Sequence, residues 1–207
     1  MITLNMAQGT EEWLEARSGI ITASAMNHVL AKGEGKTRRK YMYQMIGELI
    51  TGNPAESYSN AHMERGHVQE PVARALYIEE SNVTDPTEVG MFIEKWDWGR
   101  IGYSPDLVCS DVGLAEIKTR QAYLQAELLD TGKRPPDVNK QLQTGLLVTG
   151  RRWIDYVSYC PGMPLFVERV YPDLEMHALI LAESQRFYEE LDQKIAKLAK
   201  IAQRDAA

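Results

Sequence analysis

The residues from Gly102 to Thr119 constrain this chain most. Two short runs of strand formers flank Ser110-Asp111-Val112-Gly113, a turn signal. Folded back on that turn, the runs form a hairpin. Asp106 of Ser104-Pro105-Asp106 then lies opposite Glu116 of Glu116-Ile117-Lys118. Opposed residues on paired strands hold their Cβ atoms ~4.5–5.5 Å apart, so two carboxylates there can share one cation. Side chains alternate along a strand, which sends Lys118 to the face of Glu116 and turns Ile117 toward a core. The bland alternative is a solvated hairpin whose Glu116 and Lys118 make a surface ion pair worth ~0–1 kcal/mol.

Acid, acid and amine on one edge suit phosphodiester hydrolysis. That reaction needs a hard cation to neutralise the phosphate and lower the pKa of the attacking water. Mg²⁺ takes oxygen ligands, keeps several waters and binds through one or two carboxylates plus a substrate phosphate, and Mn²⁺ can substitute. Asp106 and Glu116 supply the carboxylates, and the Ile117 carbonyl a backbone ligand. Lys118 holds or helps deprotonate the water, or stabilises developing charge.

Met63 to Tyr77 reads as a helix with apolar positions at Val68, Val72, Ala75 and Leu76 on one face. Glu70 and Arg74 stand four apart on this helix, a stabilising pair in its own right. The sharper account makes Glu70 a third carboxylate aimed at the metal.

Gly66-His67-Val68-Gln69-Glu70, Gly102-Tyr103-Ser104-Pro105-Asp106 and Glu116-Ile117-Lys118 together resemble the PD-(D/E)xK nucleases. More narrowly, the chain resembles the phage lambda exonuclease or YqaJ-type viral recombinase family. Trp13 to Ser24 and Lys140 to Thr149 carry the narrower likeness, which runs from about Trp13 to the region of Tyr159, Cys160 and Pro161. The resemblance implies a metal-dependent exonuclease that degrades the 5′-ended strand of linear duplex DNA processively. It would release mononucleotides and leave 3′ single strands for recombination by annealing. It also implies a ring-shaped homotrimer, a single-strand annealing protein as partner, and a phage or prophage origin in a bacterial host. By motif match, Asp106, Glu116, the Ile117 carbonyl and Glu70 serve the metal, and Lys118 is the active-site lysine. Gln141 orients that lysine or the water. Arg17, Ser24 and Ser104 hold the terminal 5′-phosphate. Taken without the resemblance, Arg17 pairs with Glu12 or Glu15, Ser24 caps a helix starting at Ala25, and Gln141 is an exposed helix residue.

The remaining sequence sets bounds. At 207 residues the chain is long enough for one well-buried domain, and 44% apolar with 25% charged residues is ordinary for a globular protein. No apolar run approaches the ~20 residues of a membrane span, and the first residues lack a signal-peptide pattern, so the expected location is the cytoplasm. Cys109 and Cys160 are too few for the four thiolates of an iron–sulfur cluster. The four histidines show no zinc-ligand spacing, and of these only His67 lies near a motif. The net charge of −6 argues against DNA binding by the whole surface. Basic residues nevertheless gather at Lys32, Lys36, Arg38, Arg39 and Lys40, at Lys133-Arg134 and at Arg151-Arg152, which fits an acidic exterior around a basic channel.

Along the chain, one or two short helices are expected over 10–31, then a helix over 37–51 with Tyr41, Met42, Met45, Ile46, Leu49 and Ile50 as its apolar side and Gly52 as its stop signal, a loop over 53–60, and the Glu70 helix to about Glu80. Strands follow at 88–94, 99–103, 106–110 and 114–118. Helices at 122–129 and from an Asp137 N-cap to Gly150 precede strands at 153–159 and 165–171. A long helix covers 172–202. This order predicts an α/β fold: a restriction-endonuclease-like core, a mixed β-sheet flanked by helices. One domain over 1–207 is expected, with a core at about 61–171, an N-terminal helical segment at 10–52 and a C-terminal helix at 172–202. Two other functions use the same residues: an endonuclease or junction resolvase, and a non-catalytic DNA-binding module.

Overall fold

The computed structural model describes residues 1–31, 35–55 and 61–205, with backbone alone at 61–65, 67 and 203–205. Lys32, residues 56–60 of an expected loop and the His67 side chain lie outside the described residues. The chain opens with β1 (Ile2–Leu4) and α1 (Glu11–Arg17). β2 (Ile21–Thr22), a 3₁₀ turn (Ala23–Ala25) and α2 (Met26–Val29) come next. After α3 (Lys36–Thr51) and α4 (Ala61–Ser81) come β3 (Pro86–Thr87), β4 (Met91–Trp96), β5 (Gly99–Tyr103), β6 (Leu107–Cys109) and β7 (Gly113–Thr119). α5 (Ala122–Thr131) and α6 (Pro136–Thr149) cross over to β8 (Trp153–Tyr159) and β9 (Phe166–Val170), and α7 (Leu174–Asp205) follows.

The strands divide into two sheets rather than one. The first has the order β1-β4-β5-β2, the second β3-β6-β7-β8-β9. Each contains one parallel pair, β2 with β5 and β7 with β8, among antiparallel neighbours. The parallel β7–β8 pair requires a crossover, which α5 and α6 provide. Helices flank the sheets, as in restriction-endonuclease-like folds. Among the described residues no helix is long and apolar enough to cross a membrane.

Alternation along β7 sorts the core into two layers. Ala115 and Ile117 pack with Ala73 and Tyr77 of α4 and with Leu107 and Val157. Leu114 faces the other way, into the larger cluster that holds Tyr103, Leu142, Leu146, Ile154 and Tyr156. Glu116 falls on this second face by the same alternation, the face covered by α6.

Three local expectations are corrected. The buried stripe of α4 is Ala73 and Tyr77, while Val68 and Val72 are 75% and 49% exposed. The sheet takes the face that shares a stripe with Glu70, because Tyr77 finds a buried partner there, its hydroxyl donating to Asp155 at 2.7 Å. Leu49 and Ile50 at the end of α3 are exposed, because the helix packs through Tyr41, Met42, Met45 and Ile46. Pro135, not Asp137, occupies the N-cap position of α6, and Asp137 lies in the first turn. An acid there favours the helix dipole without capping it. The stop signals hold: Gly52 and Gly150 end α3 and α6 with φ of +71° and +63°.

Three of the expected basic residues are taken up by partners within the fold, while Lys36, Arg39, Lys40, Lys133 and Arg152 are exposed. Arg38 pairs with Glu190 at 2.5 Å, Arg134 pairs with Glu168, and Arg151 donates to the carbonyls of Ser110 and Gly113. Cys109 and Cys160 are buried free thiols.

Candidate active site

The hairpin has the register expected of it. Leu107 pairs with Ala115 and Val108 with Leu114, so Asp106, one residue before β6, stands opposite Glu116. The Ile117 amide closes the end of this ladder by donating to Asp106 Oδ2 at 2.6 Å. Glu116 is 2% exposed and gathers three donors. Lys118 Nζ at 2.6 Å and Gln141 Nε2 at 2.5 Å both reach Oε1, and the Tyr103 hydroxyl reaches Oε2 at 2.9 Å.

This charge is crowded. Asp106 has its pKa raised well above the carboxylate range, first by burial and then by Glu116, with Glu70 adding and Lys118 and the Ile117 amide opposing. Burial works against the Lys118 ammonium, but Glu116, Asp106 and Glu70 outweigh it and raise its pKa. Tyr103 is raised by burial, then by Glu116 and Asp106, which keeps its hydroxyl protonated as a donor.

Arg17, Ser24 and Ser104 meet next to these groups. β2 runs parallel to β5 with Thr22 beside Gly102, so the residues two further on, Ser24 and Ser104, leave the two strands at the same end. Arg17 reaches Ser24 Oγ at 3.4 Å, a long contact, and its guanidinium lies 4.1 Å above the Trp13 ring. Burial lowers its pKa, against Tyr41, Glu48 and Glu116, which raise it. Among the described residues it makes no ion pair with Glu12 or Glu15, and the cap position before α2 belongs to Ala25 rather than Ser24. These three residues and Asp106, Glu116, Lys118 and Gln141 line one cavity of about 170 Å³.

Glu70 stands apart. It lies on α4, whose Ala73 and Tyr77 pack on the Ala115 and Ile117 face of β7, and Arg74 Nη2 holds it at 2.7 Å. Arg74 also pairs with Glu88. Among the described residues no three of His, Cys, Asp and Glu form a metal-holding group. Glu70 reaches the site through its field, which acts on Asp106 and Lys118.

Three supporting residues escape a reading of motifs. Tyr103 passes there for a strand former, yet it holds Glu116. Trp13 Nε1 donates to both the Gly90 carbonyl and Ser104 Oγ at 3.0 Å, so one indole fixes Ser104 and carries Arg17. Gln8 Nε2 donates to the Pro105 carbonyl at 2.7 Å and the Val89 carbonyl at 3.1 Å, which pins the bend before Asp106. Pro-Asp gives no sign of such a brace, because the contact spans 97 residues of sequence.

Comparison with known proteins places this arrangement. The model of the YqaJ-like viral recombinase domain matches residues 12–152. The crystal structure of an alkaline exonuclease, LHK-Exo from Laribacter hongkongensis, is 38% identical with a TM-score of 0.86 and covers 94% of this chain and 99% of that one. The same enzyme in complex with dAMP matches at 39% identity and a TM-score of 0.87, with the same coverage. A phage-related exonuclease from Haemophilus somnus 129PT shares the fold at 13% identity and a TM-score of 0.59, covering 85% of this chain and 96% of that one. The comparison with curated proteins found no match.

Proposed function

The chain belongs to the YqaJ-like viral recombinase family, and from that premise we propose that it is a Mg²⁺-dependent exonuclease. It degrades the 5′-ended strand of linear duplex DNA, releases mononucleotides and leaves 3′ single strands for annealing. The observation that carries this reading is the shared cavity. A pocket suited to a terminal phosphate and a pair of carboxylates suited to a metal line the same cavity.

The residues fit a divalent cation. Asp106, Glu116 and the Ile117 carbonyl offer hard oxygen donors, as Mg²⁺ prefers, with Mn²⁺ as a substitute. Burial first, and then the neighbouring Glu116, raise the pKa of Asp106, and both carboxylates line the cavity where a cation would sit. When bound, such a cation neutralises the scissile phosphate and lowers the pKa of the attacking water. Two carboxylates suffice where water and substrate complete the shell, and Glu70 then shapes the field rather than closing a cage.

The chain's own groups do the rest. Tyr103 fixes Glu116 Oε2, and Gln141 and Lys118 converge on Oε1. The Lys118 ammonium stays charged and stabilises negative charge on the phosphate as the bond to the leaving oxygen breaks. Arg17 binds the terminal phosphate oxygens, with Ser24 and Ser104 donating hydroxyls. Holding that end sets which phosphodiester lies over Asp106 and Glu116, and this is the basis of single-nucleotide steps.

Family membership also supports a ring-shaped homotrimer enclosing the duplex, which gives processivity by topology, and an annealing protein as partner. A monomer by light scattering at working concentration overturns the ring. The test of function is digestion of a linear duplex that carries a 5′-phosphate on one strand, beside a closed circle, with and without Mg²⁺. Loss of the phosphorylated strand alone is expected. Cutting of the circle makes the protein an endonuclease, and no cleavage leaves a DNA-binding module.

A further inference from the structure

We propose that Arg120 holds the phosphate one nucleotide downstream of the scissile bond, in a second cavity that extends the first along the substrate strand. The proposal rests on the exonuclease reading and deepens it.

The strand geometry comes first. β7 ends at Thr119, but the Arg120 amide donates to the Tyr159 carbonyl at 2.8 Å, which carries the ladder with β8 one residue further. Arg120 therefore continues the alternation of Glu116 and Lys118 on the same face. Its Nε donates to the hydroxyl of Tyr156, the residue paired with Glu116 on β8, at 2.9 Å. That bond anchors the guanidinium through one nitrogen and leaves its outer edge for a ligand. Among the described residues Arg120 pairs with no carboxylate, unlike Arg38, Arg74, Arg134 and Arg169.

The cavities supply the order. A groove of about 470 Å³ is lined by Arg120 and Thr119 and shares Ser24, Lys118 and Gln141 with the active-site cavity. Arg17 lines only the smaller space and Arg120 only the larger. The cations therefore run Arg17, Lys118, Arg120. Two residues of strand advance ~6.6 Å, comparable with the step between successive phosphates on one DNA strand. With the terminal phosphate on Arg17 and the scissile one at Lys118, the next falls at Arg120. A guanidinium suits that place because it grips phosphate oxygens bidentately and reads no base. The lone carboxylate lining the groove, Asp137, is exposed in the first turn of α6.

The test is a chemical cycle. Release of the first nucleotide is timed on duplexes made with one neutral methylphosphonate at the third phosphate from the 5′ end, counting the terminal one, or at the sixth, so that the readout ends before the neutral linkage reaches the scissile position. The wild type is expected to slow roughly tenfold on the first, the loss of one charge-assisted contact, and little on the second. Arg120→Ala should digest the unmodified duplex roughly tenfold slower and lose nothing more to the third-position change. Arg120→Gln, which retains a donor toward Tyr156, replaces it if the alanine variant fails to fold. Tyr156→Phe removes the anchor but keeps the charge, and should retain the wild-type sensitivity. Equal slowing of the wild type and the Arg120 variants overturns the proposal alone. Failure of the wild type to digest the unmodified duplex overturns the exonuclease reading and the proposal with it.

Discussion

Tyr103 and Glu116 belong to different sheets, yet the tyrosine hydroxyl donates to Glu116 Oε2 at 2.9 Å. This bond ties the end of β5 to the middle of β7 at the site itself. The Tyr103 ring packs against α6, where a Cβ on Gly145 would come within 2.9 Å of its carbons. The glycine thus makes room for the ring, and the ring orients the carboxylate.

Tyr103→Phe keeps the ring and removes the donor. The expected cost is ~1.5–3 kcal/mol of stability, the range for a hydrogen bond to a charged group. Digestion should slow about 10–100-fold, as when a support behind a metal ligand is lost. Thermal unfolding and initial rates check both. A lower Tm with an unchanged rate removes Tyr103 from the site.

Glu116→Gln preserves shape and deletes the charge that Lys118 and a cation share. Digestion should fall by ~10²-fold or more. Duplex binding, measured by fluorescence anisotropy, should survive because Arg17 and the serines remain. Cleavage at the wild-type rate excludes Glu116 as a metal carboxylate.

The hairpin was legible because its signals are local: a turn, a two-residue period and an offset of ten from Asp106 to Glu116. The strands at 99–103 and 153–159 were found to the residue for the same reason. β1 and β2 were missed because strands of three and two residues are stabilised by distant partners on β4 and β5, not by their own pattern. The division into two sheets was hidden likewise. The face of α4 was misjudged because Val68 and Val72 are apolar yet exposed, whereas the buried stripe is formed by Ala73 and Tyr77 beside the charged Glu70 and Arg74. Periodicity counts hydrophobic residues and cannot weigh one buried tyrosine against two valines.

Gln141 and Gln143 separate cleanly. Gln141 turns to Glu116, whereas Gln143 is 2% exposed and braces the entry to α7. Its Nε2 donates to the Tyr171 carbonyl and its Oε1 accepts from the Asp173 amide, both at 2.9 Å. Gln141→Ala should lower kcat with little change in Tm. Gln143→Ala should cost ~1–3 kcal/mol by stranding buried backbone groups, with kcat retained in the folded fraction. The opposite pattern in paired rate and melting measurements exchanges the two roles.

Acid should weaken the fold through His28 and His177. Burial lowers both below the ordinary value of 6.5. Lys40 adds to the effect at His28, while Asp173 and a backbone contact to Gln143 oppose it at His177. His177 Nε2 is also buried without a hydrogen-bond partner among the described residues. Below 6.5 the unfolded chain binds protons that the folded chain refuses, so stability is full above that pH and falls as pH drops through it. In the Asp106→Asn background, which removes the opposing contribution of the raised Asp106 carboxyl, Tm should hold from about pH 8 to 7 and decline toward pH 5.5. His177→Gln should flatten part of that decline, and an identical slope in the variant rules the residue out.

Asp106→Asn should separate stability from function. The carboxylate is buried against Glu116, with Glu70 adding to the repulsion, and this crowding destabilises the metal-free protein at neutral pH. Asparagine keeps an oxygen for the Ile117 amide and removes the like charge, so the metal-free variant should melt above the wild type. Mg²⁺ should reverse the ranking, because binding to the folded state alone stabilises by about 2.7 kcal/mol at a concentration of a hundred times Kd. In a domain of this size that is worth several degrees of Tm. The variant should gain little from Mg²⁺ and digest no DNA. Equal Mg²⁺-induced shifts in the two proteins would place the cation somewhere other than between Asp106 and Glu116.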